Sequence, residues 1–264
     1  MKIRAFFVAA LLIASSSWGQ FPFLMAHFSG GGPGAPNAGC CATAFDGSTQ
    51  YLTHSDSSGW VDSKQFTFSF WIKRNETGTN TSLLRMVLPG GFRVAFTINA
   101  NDVLTVSARN SAGTTVLTLR GTTPIDDTEW HHVLWSIDLS SAAKRHLYVD
   151  DAADTFDLTT PYTNSAIDFS VTGYYVGSNG ATADLNGAIS EFWFDSGTYI
   201  DLGTEGLRRD FIDAAGNPVD LGADGSVPTG TAPEVYLSDG RTNTGSTADF
   251  AAVNSPAAVA GPNP

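Results

Sequence analysis

Glu191 and Asp195 sit four residues apart in Glu191-Phe192-Trp193-Phe194-Asp195, where two carboxylates on one strand face could divide the work of a glycosidase. Four residues of strand rise place them roughly 13 Å apart, too far for either the retaining or the inverting geometry. A Glu that anchors the following loop or helix is the reading this spacing supports. His131 and His132 are consecutive in a tract that reads as a strand, so they point to opposite faces and cannot ligate one metal together. His54 and His146 have no partner in sequence and read as ordinary hydrogen-bonded histidines. Serines are abundant, but no Gly-x-Ser-x-Gly elbow supports a Ser-His-Asp triad.

Cys40 and Cys41 are the only cysteines. Their neighbouring Cα atoms lie closer than an ordinary disulfide prefers, and without a second pair they form no structural zinc site. They read as small residues in a linker, with a disulfide between subunits as the alternative. Asp126-Asp127 and Asp150-Asp151, with Asp154 and Asp157, are oxygen donors in loops, yet none has the spacing of a defined calcium loop. No cofactor is expected, and Ca²⁺ on these aspartates is the alternative. Sugar recognition needs a flat apolar ring with amides and carboxylates nearby. Trp71 and Trp193 are the candidate ligand-binding rings, because they alternate with the flanking phenylalanines and so face away from them. Against that stands burial under loops or the C-terminal extension.

These residues need strands to position them. Phe66, Phe68, Phe70 and Ile72 alternate with Thr67, Ser69, Trp71 and Lys73, the period of a strand with one buried face. Phe92, Val94, Phe96 and Ile98 repeat the pattern, which puts all four in the core. Val103–Arg109 and Thr115–Arg120 continue a meander. Trp130–Asp138 and Arg145–Asp151 form the central hairpin, and Tyr174–Ser178, Gly187–Asp195 and Glu234–Ser238 supply later strands. The one persuasive helix runs over 204–213, capped by Thr204, with Leu207 and Phe211 on one face. The expected fold is all-β: an antiparallel β-sandwich with one short C-terminal helix. With 27 Gly, 12 Pro and 15% charged residues, the composition suits many tight turns.

Lys2 and Arg4, the apolar run 5–14 and Ser15-Ser16-Ser17-Trp18-Gly19 have the layout of a secretory leader, with cleavage after Gly19. Other readings are a start at Met25 or an apolar peg buried in a larger assembly, since Phe21-Pro22-Phe23-Leu24-Met25 stays hydrophobic. The chain therefore divides into a leader or anchor at 1–28, a Gly/Pro-rich linker at 29–41, a sandwich with its extension at 42–238 and a loosely ordered tail at 239–264. A net charge of -12 argues against nucleic acid or anionic lipid as partner.

Several tracts in order carry a resemblance: Phe45-Asp46-Gly47 with Tyr51-Leu52, Phe66–Lys73, Trp130-His131-His132-Val133, Leu147-Tyr148-Val149-Asp150 and Gly187–Trp193. Over roughly 42–215 the chain resembles the laminin-G-like, concanavalin A-like lectin/glucanase domain, which implies a jelly roll. The tract from Glu191 to Leu237 looks like the variant found in phage and prophage structural proteins. One departure is Asp151, where the family commonly has Gly; Asp tolerates a left-handed turn less easily. Glucan-cleaving enzymes of this fold resemble one another in a Glu-x-Asp-x-x-Glu strand, and this chain has none. The resemblance thus implies a non-catalytic virion-associated lectin-like module that binds host-surface glycans, with other virion proteins and further copies of the chain as partners. Alternatives are a purely structural decoration subunit and a secreted carbohydrate-binding or adhesion protein. A glycan-cleaving enzyme has no positive support in the sequence.

Overall fold

The structure is a computed structural model that describes residues 41–180, 184–239 and 241–262. The expected leader or anchor, its cleavage point, Met25, the linker up to residue 40 and Cys40 lie outside the described residues. The strands begin with β1 (Cys41–Asp46), β2 (Tyr51–His54), β3 (Gln65–Arg74), β4 (Thr81–Leu88), β5 (Gly91–Ile98) and β6 (Val103–Arg109). They continue with β7 (Thr115–Pro124), β8 (Trp130–Asp138), β9 (Arg145–Val149), β10 (Ala152–Ala153), β11 (Phe156–Leu158), β12 (Gly173–Val176) and β13 (Asn186–Asp195). After helix α1 (Glu205–Arg208) come β14 (Val235–Leu237), β15 (Ala251–Val253) and β16 (Ala257–Ala260).

Two antiparallel sheets form the sandwich. The first has the order β10-β9-β8-β3-β13-β1-β16, with β14 also on β13; the second runs β11-β7-β6-β5-β4-β12-β2-β15. The alternation in β3 decides its two faces. Phe66, Phe68, Phe70 and Ile72 are fully buried between the sheets, and each such side chain contributes about 1.5–3 kcal/mol by leaving water. Phe68 lies at the centre, its ring 4.6–5.6 Å from those of Phe70, Phe96, Phe192 and Phe194. The other face of β3 carries Thr67, Ser69, Trp71 and Lys73, which pair across to Ser136, Leu134, His132 and Trp130 of β8.

Phe92 departs from the expected core pattern. The β4–β5 register shifts between Met86 and Val87, so Phe92 pairs with Val87 rather than continuing the row of Val94. A bulge of one residue turns a side chain to the other face. Phe92 is half-buried outside the core cluster. A second shift, between Ser82 and Leu84, buries both Leu83 and Leu84 and breaks the alternation of β4, which left that strand without a sequence signature.

The helix is shorter than 204–213. Only Glu205–Arg208 are helical, the Thr204 side chain makes no capping bond, and Leu207 is exposed while Phe211 is buried. The chain is held here by tertiary packing rather than by an amphipathic face. Residues 196–237 return over the outer face of the first sheet, where Ile200, Leu202, Phe211, Leu221 and Tyr236 close on Leu134 and Trp193.

The tail from 239 is also not loose. β15 pairs with β2 and β16 pairs with β1, so the last strands extend one edge of each sheet. Edge pairing uses backbone N–H and C=O groups, so an Ala-rich segment can join without a hydrophobic pattern. β1 already includes Cys41, one residue ahead of the expected start of the sandwich.

Candidate functional site

The two tryptophans singled out in sequence do face away from the phenylalanines, but neither is open to a ligand. Trp193 is 0% exposed. Its indole N–H donates to the Gly225 carbonyl at 2.7 Å, and Phe211 meets its ring edge-on at 5.3 Å. Trp71 is 4% exposed, with its ring 5.0 Å from that of His132. The ligand-binding role expected of Trp71 and Trp193 is corrected on these burials: the ring stacking a sugar needs is already occupied by protein.

The histidines separate as their alternation requires. His132 is buried with Nε2 2.9 Å from Ser69 Oγ, and Nδ1 has no partner among the described residues. Burial lowers its pKa to about 4. Asp150 accepts the backbone N–H of His132 rather than its ring, so serine, histidine and aspartate do not form a relay. His131 lies between Asp150 Oδ2 at 2.7 Å and Asp127 Oδ1 at 2.9 Å. Hydrogen bonds donated to Asp150 first, then to Asp127, outweigh burial and raise its pKa to about 9. His54 Nδ1 lies 3.2 Å from the Asp249 carbonyl, and His146 Nε2 lies 2.9 Å from Tyr199 Oη.

The acidic residues hold loops. Asp154 accepts from the hydroxyls of Thr122 and Thr123, and Asp157 pairs with Arg120. Asp150 and Asp151 both have positive φ, 50° and 63°, and form the two-residue turn that joins Val149 to Ala152. The strain Gly would avoid carries a return here: Asp151 accepts from Arg208 Nε at 2.7 Å and also binds Arg209, tying the extension to the hairpin. Glu191 occupies a bulge at φ 48° and accepts from Tyr236 Oη at 2.7 Å. Asp195 Oδ1 accepts the Gly197 N–H. Glu234, raised by burial and then by the Asp195 charge, accepts the N–H and hydroxyl of Ser196. Asp195 and Glu234 anchor the chain as it leaves β13, whereas Glu191, expected to anchor the following loop or helix, instead holds Tyr236 on the more distant strand β14.

The Glu191 bulge divides β13 into two halves. Beyond it, Phe192–Phe194 pair with β14 and the extension covers the outer face. Before it, the same edge pairs with β1. There a cross-strand row runs Trp130, Lys73, Ala188, Ala44, Ala257 over β8, β3, β13, β1 and β16. Four strand spacings make that row roughly 19 Å long. A cleft of about 560 Å³ opens on it, with Ala44, Gly187 and Ala188 in its lining and Trp130, Glu129, Lys73 and Asn75 as its larger side chains. Gly187 is required: a Cβ there would lie 2.2 Å from the Lys73 carbonyl oxygen. Asn75 is oriented by Asn186, its side-chain N–H donating to Asn186 Oδ1 at 3.1 Å.

The lining thus sets a half-buried indole beside an amide, an acceptor carboxylate and a donor ammonium, a combination able to stack on an apolar ring face and hydrogen-bond hydroxyl groups. Sequence reasoning passed over Trp130. Its signal was the alternation of β8, which puts Trp130 on the face of His132, while the Val259–Gly261 wall lay in a segment with no pattern.

A family model described as the concanavalin A-like lectin/glucanases superfamily, of laminin-G type, matches residues 46–197. The chain belongs to that family. Its antiparallel sandwich is the lectin-like fold the family carries. The match spans β2 to β13 and leaves out most of the extension that buries Trp193 and all of the tail that supplies Val259 to the cleft. No curated protein matches the chain. Among solved structures, this laminin-G-like chain is similar to a Bacteroides ovatus protein provisionally assigned as carbohydrate-binding, at TM-score 0.58 and 16% identity. That alignment covers 85% of this chain and 61% of the other, so the chain spans about three fifths of its length. A heptameric SAP-like pentraxin of Limulus polyphemus aligns at TM-score 0.49 and 12% identity, over 85% of this chain and 95% of that one. Domain 4 of an extracellular arabinanase of Geobacillus stearothermophilus, solved with arabinotriose, aligns at TM-score 0.41 and 16% identity, over 62% and 76%.

Proposed function

We propose that the chain is a non-catalytic lectin-like module that binds host-surface glycan in the Trp130 cleft, displayed on a phage or prophage particle. The observation that carries the glycan reading is the cleft itself: an indole, an amide, a carboxylate and an ammonium around a floor of small residues. The family supports it, since membership supplies the lectin-like sandwich on which the cleft lies. The virion assignment rests on the likeness of the Glu191–Leu237 tract to phage structural proteins. Many copies on one particle would turn weak single-site affinity into useful avidity.

The test is a glycan array and host-cell binding assay with the chain beside a Trp130→Ala variant. Saturable binding that the folded variant loses supports the cleft. Binding that survives the substitution sinks the cleft as the site, and no binding even from a multimerised chain favours a structural decoration subunit. Mass spectrometry of particles purified from the encoding phage or induced prophage tests display. The leader-like first 19 residues favour one second reading, a secreted carbohydrate-binding or adhesion protein. A mature protein beginning at Gln20 and missing from particles would establish it.

A further inference from the structure

The outer face of the second sheet holds two arginines with no carboxylate. Arg85 on β4 and Arg109 on β6 flank Phe92, their guanidinium carbons 5.1 and 4.1 Å from the ring centroid. Five other arginines are neutralised, Arg74 by Asp102, Arg93 by Asp168, Arg120 by Asp157, and Arg208 and Arg209 by Asp151, while Arg145 and Arg241 donate to the Ala142 and Pro256 carbonyls. Among the described residues Arg85 and Arg109 have no ion pair, and Arg109 Nε is buried without a hydrogen-bond partner. Burial, and after it the Arg109 charge, lowers the Arg85 pKa. Two like charges gathered on one ring, in a chain of net charge -12, form a local reversal of the overall field.

The neighbours of Arg85 give this face a second feature. Its outer row runs Thr53, Tyr175, Arg85, Ala95, Ser107, Thr118 across β2, β12, β4, β5, β6 and β7. The half-buried Tyr175 ring next to Arg85 lies 5.8 Å from that of Tyr51. We propose that this face is a second ligand site, taking a carboxylate-bearing glycan whose acid group binds Arg85 and Arg109 and whose sugar ring lies on Tyr175. The guanidinium fork matches a carboxylate bidentately, and the cation–π contacts to Phe92 hold both forks in place before the ligand arrives. Because the two arginines lie on the sheet opposite Trp130, failure of this site leaves the cleft reading standing, and the reverse.

The experiment is isothermal titration of the whole chain with an oligogalacturonate, with a sulfated oligosaccharide of similar length and with a neutral oligosaccharide, at low and moderate salt. The expected result is binding of the oligogalacturonate that weakens with salt and falls at least about tenfold in R85Q/R109Q. R109K keeps the charge but loses the fork, so it should lose affinity while keeping the wild-type circular dichroism spectrum; it serves if the double variant folds poorly. Wild-type affinity in either folded variant, tighter binding of the sulfated probe than of the carboxylated one, or no binding of the oligogalacturonate would each overturn the proposal.

Discussion

The rings of His131 and His132 leave β8 on opposite faces, the first into a clamp formed by Asp127 and Asp150, the second into a sealed contact with Ser69 and Trp71. Their protonation is pulled in opposite directions, up to about 9 for His131 and down to about 4 for His132.

The raised His131 contributes stability that is full below the unfolded histidine value of about 6.5 and is lost as pH rises through about 9. The buried neutral His132 acts on the other side: as pH falls from about 6.5 toward about 4, the unfolded chain takes up a proton that the folded chain refuses. Together they place a stability maximum near the unfolded value. His131→Gln should flatten the alkaline limb, a loss of about 1–2 kcal/mol at pH 6 after discounting for the exposed aspartates, and leave the acid limb in place. Urea unfolding midpoints measured from pH 5 to 9 check it; an unchanged alkaline limb would contradict the clamp.

Trp193→Ala and Trp130→Ala should separate packing from binding. Trp193 is sealed under Phe211 and bonded to Gly225, so its truncation should cost about 3–5 kcal/mol. Trp130 is half-buried at the cleft, so its loss should cost about 1 kcal/mol while removing glycan binding. Denaturant titration beside the glycan array reads both effects.

Asp151→Gly restores the residue the family commonly has and relieves a left-handed φ of 63°, a gain of about 1 kcal/mol. It also removes the carboxylate that holds Arg208 and Arg209, a loss of about 1.5–3 kcal/mol. The net expectation is destabilisation by about 1 kcal/mol, with faster hydrogen exchange in the segment around α1. A more stable variant would show that the carboxylate contributes less than the turn strain.

Truncation after Asp249 removes β15 and β16, exposing the edges of β2 and β1. The truncated chain should self-associate, which sedimentation velocity would detect, because open edges recruit other strands. It should also bind glycan more weakly, since Val259, Ala260 and Gly261 line the cleft. A monomer with full affinity would show that these strands neither protect the edges nor complete the site.

Much of the architecture was legible in the chain. The alternation of Phe66, Phe68, Phe70 and Ile72 needs only the two-residue period of a strand, and it placed both faces of β3 correctly. The same period sent His131 and His132 apart and showed that Trp71 and Trp193 face away from the phenylalanines. What alternation cannot carry is the effect of a single extra residue or of a distant segment. The bulge beside Val87 turned Phe92 outward to meet Arg85 and Arg109. The bulge at Glu191 decided which half of β13 is covered by the extension and which half opens as the cleft. Whether a tryptophan on the outer face touches water was settled by chain arriving from 196–237, which packs its apolar side chains there, and from 251–260, whose pairing rests on backbone hydrogen bonds and whose residue types announce no partner. The sequence by itself determined the strands and the two faces of the sheet; only tertiary contact decided which part of each face is left for a ligand, because burial depends on segments far apart in the chain meeting in space.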